Sequence, residues 1–487
     1  MPNSRRSFVS TALLAIAGLL AAACTSSDGS GEAQVSDSAI SVPTKWPIEH
    51  VVFIIKENRS FDHMFGSFPG ANGVIKGDKW LGYDWRNSPA WSGTPYAEKT
   101  ISVPLRAKYP WRYPQDLPHD YIQFEMDRRD GAMDGFANNP KADALAYTRV
   151  KPEWIPNYWH WAEQNVLSDN FFASAVGPSF PNHLMTIAAT SAGTKDNPKQ
   201  PSESLKAMQD KGLAKSWGCD MKDGAVKIYG PEGKAEGKSA PCFDITTEGD
   251  LLNKAGVDWT YYAADNKQIG YIWSAYAAID RYRNDQKMWD EHIKPVEDVA
   301  ADIRENGLDP VTWITPRFFQ SEHPEWNLCT GENWTTEIVN AIMERPEWQS
   351  TAIFLTWDDW GGFYDHVPPK SIDPFGYGFR VPLITISPYA KQGYVDSREG
   401  EFSSVLRFIE DNWGLRQLTA RDKRADNLAY NFDFQQEPRP ADPQPIRDCQ
   451  GDETGFPESW KPGAEWWPPQ WDESALPQSD APADDSE

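Results

Sequence analysis

Two segments with the same pattern of apolar and polar residues stand out along the chain. His50–Asn58 reads HVVFIIKEN, and Thr351–Asp359 reads TAIFLTWDD. Each is a short run rich in Val, Ile, Phe or Leu that ends in acidic or amide side chains. Such runs are typical of central strands in a parallel sheet that helices cover on both faces. The pattern therefore predicts an α/β fold with a large, mostly parallel sheet.

The polar ends of these two strands predict a cation site. Glu57 and Asn58 end the first run, and Asp358 and Asp359 end the second. Parallel sheets bind ligands outside the carboxyl ends of their strands, so these four side chains are expected to meet at one edge. Three carboxylates in a confined space call for a cation, and hard cations prefer oxygen ligands. The alternative is two buried strands with solvated acidic ends.

A candidate nucleophile precedes an apolar helix. The segment GPSFPNH, residues 177–183, leads into LMTIAATSAG, whose apolar residues have helical spacing. Proline favours the first turn of a helix, so Pro181 places Ser179 near the helix N-terminus. Unpaired backbone N–H groups and the helix dipole favour a phosphate there, and Asn182 can donate its amide to a phosphate oxygen. The alternative is that Ser179 only caps the helix.

Histidines in three loops are further candidates for the site. His119 lies in PQDLPHDY, His323 in SEHPEW, and His366 in GGFYDHVPP just after the second strand. Loops on the active edge of a scaffold commonly carry functional groups, and His366 is taken as a candidate for substrate binding. A structural role is the alternative for each of them. His292 lies in a charged helical stretch and is predicted to be solvated.

The first residues are predicted to be an export signal. Ser4–Phe8 resembles a twin-arginine signal, and Thr11–Ala23 is apolar but too short to span a membrane. Cys24 follows and is predicted to carry a lipid that anchors the protein in the cell envelope. Plain cleavage, with a periplasmic or secreted product, is the alternative. We expect a signal over residues 1–24, a flexible tether over 25–44, one folded domain over 45–450 and an acidic, partly disordered tail over 451–487.

The cysteines agree with an oxidising compartment. Four remain after Cys24, and four cysteines allow three pairings. We favour the local pair Cys219–Cys242 with the long-range pair Cys329–Cys449. A zinc cluster is not expected, because the chain has no C-x-x-C spacing.

The charge and the aromatic content bear on partners. A formal net charge of −24 argues against nucleic acid, and against an anionic membrane surface as the main partner. The chain has 23 tryptophans, and an exposed subset of aromatic rings could hold choline or sugar groups. Packing in the core and loops is the commoner role of such residues.

Several of these motifs together resemble the bacterial phosphoesterase family of phospholipases C and related acid phosphatases. That family belongs to the alkaline phosphatase-like superfamily. The resemblance rests on ENRSFD after the first strand, GPSFPNH, SEHP, and DDWGGFYDH after the second strand, and it extends from about Pro47 to Phe434. It implies an alkaline phosphatase-like fold and a phosphoesterase domain.

The resemblance also implies metal ligands. Glu57 with Asn58, and Asp358 with Asp359, match the two metal-binding pairs of the family. The cofactor implied is a divalent cation. Oxygen ligands favour calcium, magnesium or manganese, and the superfamily also admits zinc.

The remaining roles follow from the same resemblance. Ser179 matches the hydroxyl nucleophile that forms a phosphoenzyme, and Asn182 matches a neighbouring amide that contacts phosphate. His119 and His323 match histidines that contact phosphate or protonate the leaving group. The implied chemistry is phosphoryl transfer in two steps, first to serine and then to water.

We therefore expect an exported phosphoric ester hydrolase of the phospholipase C type, whose substrate is a phosphate ester such as a phospholipid. An acid phosphatase acting on phosphomonoesters is one alternative, and a sulfatase-like or phosphonate-like hydrolase is another. A third, of a different class, is an aromatic-rich surface lipoprotein that binds choline or glycans without catalysis. Departures from the family pattern at Trp360 and Glu401 leave the substrate class open.

Overall fold

The computed structural model describes residues 42–81, 99–108, 116–137, 143–324 and 326–449. The predicted signal, nearly all of the predicted tether and the predicted acidic tail lie outside these residues, as does Cys24 with its predicted lipid. Those expectations stay predictions. Among the helices of the described ranges, none has both the length and the apolar character needed to cross a membrane.

Short strands and helices alternate along the described residues. The strands are β1 (His50–Lys56), β2 (Lys76–Trp80), β3 (Thr100–Pro104), β4 (Arg106–Ala107), β5 (Thr148–Arg149), β6 (Val166–Ser168), β7 (Phe171–Phe172), β8 (Val226–Tyr229), β9 (Ala235–Ser239), β10 (Trp259–Ala263), β11 (Ile293–Pro295), β12 (Val311–Ile314), β13 (Thr351–Trp357), β14 (Leu383–Ile386), β15 (Tyr394–Asp396) and β16 (Gly400–Glu401). The α-helices are α1 (Phe61–Phe65), α2 (Tyr121–Arg128), α3 (Asp143–Ala146), α4 (Pro156–Gln164), α5 (Ser179–Ala188), α6 (Ser202–Gln209), α7 (Glu248–Ala255), α8 (Asp280–Arg283), α9 (Gln286–His292), α10 (Val299–Asn306), α11 (Leu328–Met343), α12 (Phe402–Trp413) and α13 (Ala420–Arg424).

The main sheet has eight strands in the order β11-β10-β12-β1-β13-β14-β6-β15. Neighbouring strands are parallel except where β14 pairs with β13 and with β6. Only β14 of these eight strands therefore runs against the others. The predicted α/β class with a large, mostly parallel sheet is confirmed.

The two strands predicted from the apolar runs lie side by side near the middle of this sheet. β1 pairs with β13 in parallel, and the register places Lys56 beside Trp357. Val51–Lys56 and all of β13 are buried. Because successive side chains point to opposite faces, this burial means that both faces of the sheet are covered. Each fully buried Val, Ile, Leu or Phe contributes about 1.5–3 kcal/mol to folding.

Helix α5, which carries Ser179, packs against α12 and α7. Helix α12 begins with a capping box between Glu401 and Ser404, and it ends at Gly414, whose φ of +66° is in the left-handed region. Phe402 on its buried side contacts Phe53 of β1, with ring centroids 6.4 Å apart. This packing connects the helix behind the nucleophile to the central strand.

Both disulfides have the expected partners. Cys219 bonds to Cys242, and Cys329 bonds to Cys449. The second bond fastens a segment without regular secondary structure to α11. Two asparagines of α11 extend this attachment, since Asn333 exchanges hydrogen bonds with the backbone of Arg447, and Asn340 does so with Gln444.

The prediction for His292 was wrong. Its ring stacks on Trp259 with centroids 4.1 Å apart, and Nδ1 lies 3.1 Å from the Trp259 carbonyl. Only 7% of the residue is exposed. The charged neighbours of His292 occupy the solvent side of α9, while the histidine is on the side that packs against the sheet.

Candidate active site

The ends of β1 and β13 are joined directly. Asp358 donates its backbone N–H to the Lys56 carbonyl at 2.9 Å, which continues the ladder by one residue. Asn58 then turns into the left-handed region with φ +61° and donates its backbone N–H to Asp358 Oδ1 at 2.9 Å. The predicted meeting of the two strand ends at one edge of the sheet is therefore seen in the structure.

Three carboxylates lie buried at this edge. Glu57, Asp358 and Asp359 are all without solvent exposure. Burial, together with the neighbouring charge of Asp358, raises the pKa of Glu57 and of Asp359 well above the ordinary values of these groups. The alternative of solvated acidic strand ends is excluded, because no water-exposed surface remains on them.

The oxygen and nitrogen of the Asn58 amide can be placed in two ways, which differ in the atom that faces the carboxylates. In the first, Nδ2 donates to Asp358 Oδ1 at 2.9 Å and to Glu57 Oε2 at 3.0 Å, while Oδ1 accepts from Nε2 of His119 and of His323. In the second, Oδ1 faces the two carboxylates, so three acceptor oxygens lie side by side. A cation among those oxygens would favour the second orientation.

One oxygen gives a further test of whether a cation fits. Asp358 Oδ2 is buried and has no hydrogen-bond partner among the described residues. A buried carboxylate oxygen is costly unless a donor or a cation satisfies it. Glu57, Asn58, Asp358 and Asp359 therefore form a donor set that suits a divalent cation.

Ser179 lies at the same edge. It is the first residue of α5, and its Oγ is 3.1 Å from Glu57 Oε2 and 3.5 Å from Asp359 Oδ2. The residue that caps the helix is Pro178, so the interpretation of Ser179 as a capping serine is wrong. The loop before it turns sharply at Gly177, where φ is +103° and a Cβ would lie 2.1 Å from the Lys195 carbonyl oxygen.

Asn182 supports this loop. Its Nδ2 lies 3.1–3.2 Å from the carbonyl oxygens of Ala175, Gly177 and Pro178, and its Oδ1 accepts from the Ala175 N–H. The amide is thus engaged with the backbone that leads to Ser179. In this arrangement it shapes the nucleophile loop, and it has no donor left for the phosphate contact that we expected.

His119 reaches the site from the loop before α2. Its Nε2 lies 3.0 Å from the Asn58 amide, and its Nδ1 lies 2.6 Å from the Leu117 carbonyl. Burial alone would lower the pKa of His119, but the charges of Asp116 and Asp359 outweigh it and raise that pKa to about 9. The buried Trp360 indole is set edge-on to the imidazole, with centroids 6.1 Å apart.

His323 lies beside His119, with ring centroids 6.1 Å apart. Burial lowers its pKa to about 4, a shift that Asp116 partly opposes and the neighbouring His119 reinforces. At neutral pH the two imidazoles are therefore expected to differ in charge, with His119 protonated and His323 neutral.

His366 belongs to a different cluster. Its Nδ1 is 2.7 Å from Asp62 Oδ2, and the buried Arg380 guanidinium contacts both Asp62 and Asp365. The cation that these two carboxylates need is supplied by Arg380. The structure therefore gives His366 a place in a structural ion cluster, and none of its described contacts is with Ser179 or the metal-ligand candidates.

His183 also lies within GPSFPNH, and no role was predicted for it from the sequence. It is 2% exposed, and its Nε2 lies 2.7 Å from Glu57 Oε1 and 3.9 Å from Asp358 Oδ2. The available signal was spacing, because residues four apart on a helix share a face. Ser179 and His183 have that spacing.

A second buried network, of hydrogen bonds and an ion pair around Glu322, supports the site. Glu322 has φ +73°, and its carboxylate accepts from Trp357 Nε1 at 2.9 Å and from the Tyr158 hydroxyl. It also pairs with Lys56 Nζ at 3.3 Å, with both side chains fully buried. Burial lowers the pKa of Lys56 to about 8, although Glu322 raises it. The network holds the residue before Glu57 and the residue before His323.

The sequence profile of the Phosphoesterase family matches residues 48–416. The chain belongs to the Phosphoesterase family. The matched range contains both strand ends, Ser179 and all three loop histidines, and this confirms the resemblance stated from the motifs.

Relatives in the Phosphoesterase family carry phospholipase names. The chain is 28% identical to the hemolytic phospholipase C of Pseudomonas aeruginosa over 80% of this chain and 56% of that protein. It is 27% identical to phospholipase C B of Mycobacterium tuberculosis over 81% and 80%. It is 25% identical to non-specific phospholipase C1 of Arabidopsis thaliana over 82% and 74%. The match thus spans little more than half of the Pseudomonas protein and most of the other two.

Solved structures overlap less well. An alkaline phosphatase superfamily protein from Vibrio parahaemolyticus has a TM-score of 0.32 at 11% identity, covering 56% of this chain and 64% of that chain. The sheet order and the family profile remain the basis of the fold assignment. Membership of the Phosphoesterase family confirms the expected enzyme class, a hydrolase acting on phosphoester bonds.

Proposed function

We propose that this Phosphoesterase family member is an exported phospholipase C-like hydrolase that cleaves phosphodiesters through a phosphoserine. The observation that carries the proposal is the position of Ser179 Oγ, 3.1 Å from Glu57 Oε2 and 3.5 Å from Asp359 Oδ2 at the start of a helix. A hydroxyl beside buried carboxylates at the N-terminus of a helix suits attack on phosphorus.

In the first step, Ser179 Oγ forms a bond to phosphorus and its proton leaves towards the carboxylates that it contacts. The bond from phosphorus to the leaving oxygen breaks. His119 protonates that oxygen. Burial disfavours the charged form of its imidazole, but the neighbouring charge of Asp116, which is not a proposed cation ligand, favours it and raises the pKa. His323, with a pKa of about 4, is neutral and is the less suitable acid. In the second step, a water oxygen forms a bond to phosphorus and gives a proton to the now neutral His119. The bond from phosphorus to Ser179 Oγ breaks, and the carboxylates return the proton to Oγ.

Glu57, Asn58, Asp358 and Asp359 are the proposed ligands of a divalent cation. When bound there, the cation would withdraw charge from the phosphate and lower the pKa of the Ser179 hydroxyl. The orphaned Asp358 Oδ2 and the crowded oxygens around Asn58 support this assignment. Calcium, magnesium, manganese and zinc are all candidates.

The relatives favour a diester substrate, since three of them are named as phospholipases C. The described residues give little support to the third alternative, a binding protein that uses exposed aromatics. Among the described residues, the large hydrophobic side chains that are exposed include a single aromatic, Tyr430, beside Ile75, Ile122 and Ile446.

Turnover of three chromogenic substrates tests the proposal. We expect the mature protein to hydrolyse p-nitrophenylphosphorylcholine, to lose that activity on chelation and to regain it with one of the four cations. Robust turnover of p-nitrophenyl phosphate without diester cleavage, from acid to mildly alkaline pH, would make the protein an acid phosphatase instead. Preference for p-nitrophenyl sulfate would point to a sulfatase.

Location is also a proposal. The twin-arginine-like segment and the two disulfides support export, and Cys24 is the proposed site of lipid attachment. Fractionation of cells that express the full chain should recover it from the envelope. A Cys24→Ala variant is expected to move to the soluble exported fraction, and recovery of the wild type from the cytoplasm would contradict export.

A further inference from the structure

The two oxygens of Glu57 have different partners. Oε2 faces Ser179 Oγ at 3.1 Å and the Asn58 amide at 3.0 Å. Oε1 faces His183 Nε2 at 2.7 Å. A carboxylate can bind a cation through one oxygen or both. The partner of Oε1 therefore influences the orientation of the Glu57 carboxylate and which of its oxygens is available to a cation.

The surroundings of His183 indicate which ring nitrogen carries the proton. Its Nδ1 is buried and has no hydrogen-bond partner in the described part of the chain. A buried ring N–H without an acceptor costs more free energy than a buried ring nitrogen without a donor. The favoured tautomer therefore has its proton on Nε2, which lies 2.7 Å from Glu57 Oε1.

The same tautomer argues against His183 as a direct ligand. Imidazoles that bind metals nearly always donate their other N–H to a carboxylate, a carbonyl or a water. Nδ1 has no such acceptor among the described residues. Asp358 Oδ2, at 3.9 Å from Nε2, is also too distant for a hydrogen bond.

Helix α5 holds Glu57 through both oxygens. Ser179 and His183 are one turn apart on this helix, so their side chains leave the same face. The serine contacts Oε2 and the histidine contacts Oε1. The position of the nucleophile and the orientation of a metal-ligand carboxylate are therefore set by one rigid element.

We infer that His183 is a positioning residue, a hydrogen-bond donor that holds Oε1 of Glu57 so that Oε2 faces Ser179 and the cation. This inference rests on the proposed metal-assisted function. Groups that orient metal ligands typically contribute 10–100-fold to metal affinity. His183 should therefore affect cation binding even when no substrate is present.

Calorimetric titration of the chelated, substrate-free mature protein tests this, using whichever of Ca²⁺, Mg²⁺, Mn²⁺ or Zn²⁺ restores the wild type best. We expect His183→Leu to raise the Kd of that cation by about 10–100-fold. His183→Gln, whose terminal amide can place an N–H where Nε2 lies, should stay within about tenfold of the wild type. His183→Asn places its amide near the Nδ1 position and should resemble the leucine variant.

Thr186→Val is the matched control, because Thr186 is buried on the same helix and its Oγ1 donates to the His183 carbonyl at 2.7 Å, away from Glu57. It should bind the cation like the wild type. If His183→Leu does not fold, the comparison of Gln with Asn decides. A wild-type cation Kd in the His183→Leu or His183→Asn variant would overturn the inference. A His183→Gln variant that binds the cation no more tightly than His183→Asn would also overturn it. A wild-type protein that binds none of the four cations would instead refute the proposed metal-assisted function.

Discussion

Asn58 donates its backbone N–H to Asp358 Oδ1 at 2.9 Å, a bond between residues 300 positions apart. The same carboxylate is a proposed metal ligand, so Asp358 supports the backbone turn of Asn58 as well as the cation site. These two roles can be separated by substitution, because an amide oxygen accepts the N–H but carries no charge.

The first prediction concerns this separation. Asp358→Asn should weaken cation binding strongly and leave the metal-free melting temperature close to that of wild type. Asp358→Ala should also lose the acceptor for the Asn58 N–H, and an unsatisfied buried N–H costs about 1–3 kcal/mol. Urea unfolding of the two chelated variants measures the difference. Equal stability of Asn and Ala would contradict a structural role for Oδ1.

The second prediction is for Ser179→Ala, which should reduce phosphate-ester turnover by at least about a thousandfold. The melting temperature should stay nearly unchanged, because Ser179 does not cap α5. Loss of a true cap would cost about 1 kcal/mol. Ser403→Ala is the control, since Ser403 is buried in the first turn of α12 and its Oγ has no partner among the described residues. Ordinary turnover by the Ser179 variant would remove it from the mechanism.

The third prediction is that stabilisation by the cation grows with pH. Folding raises the pKa values of Glu57 and Asp359. Without a cation, the free energy of unfolding is therefore highest below the unfolded pKa values of these groups. It falls as the pH rises towards their folded pKa values. The cation binds the ionised carboxylates of these two residues and so offsets the loss of stability at higher pH. Thermal scans with chelator and with cation at pH 5, 6, 7 and 8 should show a widening gap. The gap should shrink in Asp359→Asn, and a wild-type gap independent of pH would disprove the linkage.

The fourth prediction concerns Glu248, a fully buried residue whose two carboxylate oxygens lack partners in the described part of the chain. Burial, reinforced by Asp422, raises its pKa well above the ordinary value. Its charge is therefore costly once the pH exceeds the unfolded pKa. Glu248→Gln should stabilise the protein at pH 8 by at least about 1 kcal/mol, because an unpaired buried charge costs several kcal/mol.

That gain should fade towards pH 4, where the wild-type carboxyl is neutral in the folded state and largely neutral in the unfolded state. Urea unfolding at the two pH values measures it. Glu337→Gln is the control, since the Glu337 side chain is 56% exposed and should change little at either pH. Destabilisation by Glu248→Gln at pH 8 would show that the carboxylate has a favourable partner.

The sheet and the metal-ligand candidates were predictable because their signals are local. An apolar run followed by Glu57-Asn58 or Asp358-Asp359 identifies a buried strand and its polar end without knowledge of any other residue. The roles of Asn182 and His366 were not predictable in this way. Asn182 binds the backbone of its own loop, and His366 pairs with Asp62, some 304 positions away, beside Arg380. Only the folded arrangement determines those partners.

Glu322 presents a conflict that no single substitution resolves. Its backbone, at φ +73°, is of the kind that glycine adopts without strain. Glycine, however, lacks the carboxylate that accepts hydrogen bonds from Trp357 and Tyr158 and pairs with Lys56. Aspartate tolerates this backbone better than glutamate, but it is one methylene shorter. Gly331 is adapted to the longer side chain, since a Cβ there would lie 2.2 Å from Glu322 Cγ. At position 322, glycine would therefore relax the backbone but remove the charge. Aspartate would keep the charge but place it one methylene short of Trp357, Tyr158 and Lys56.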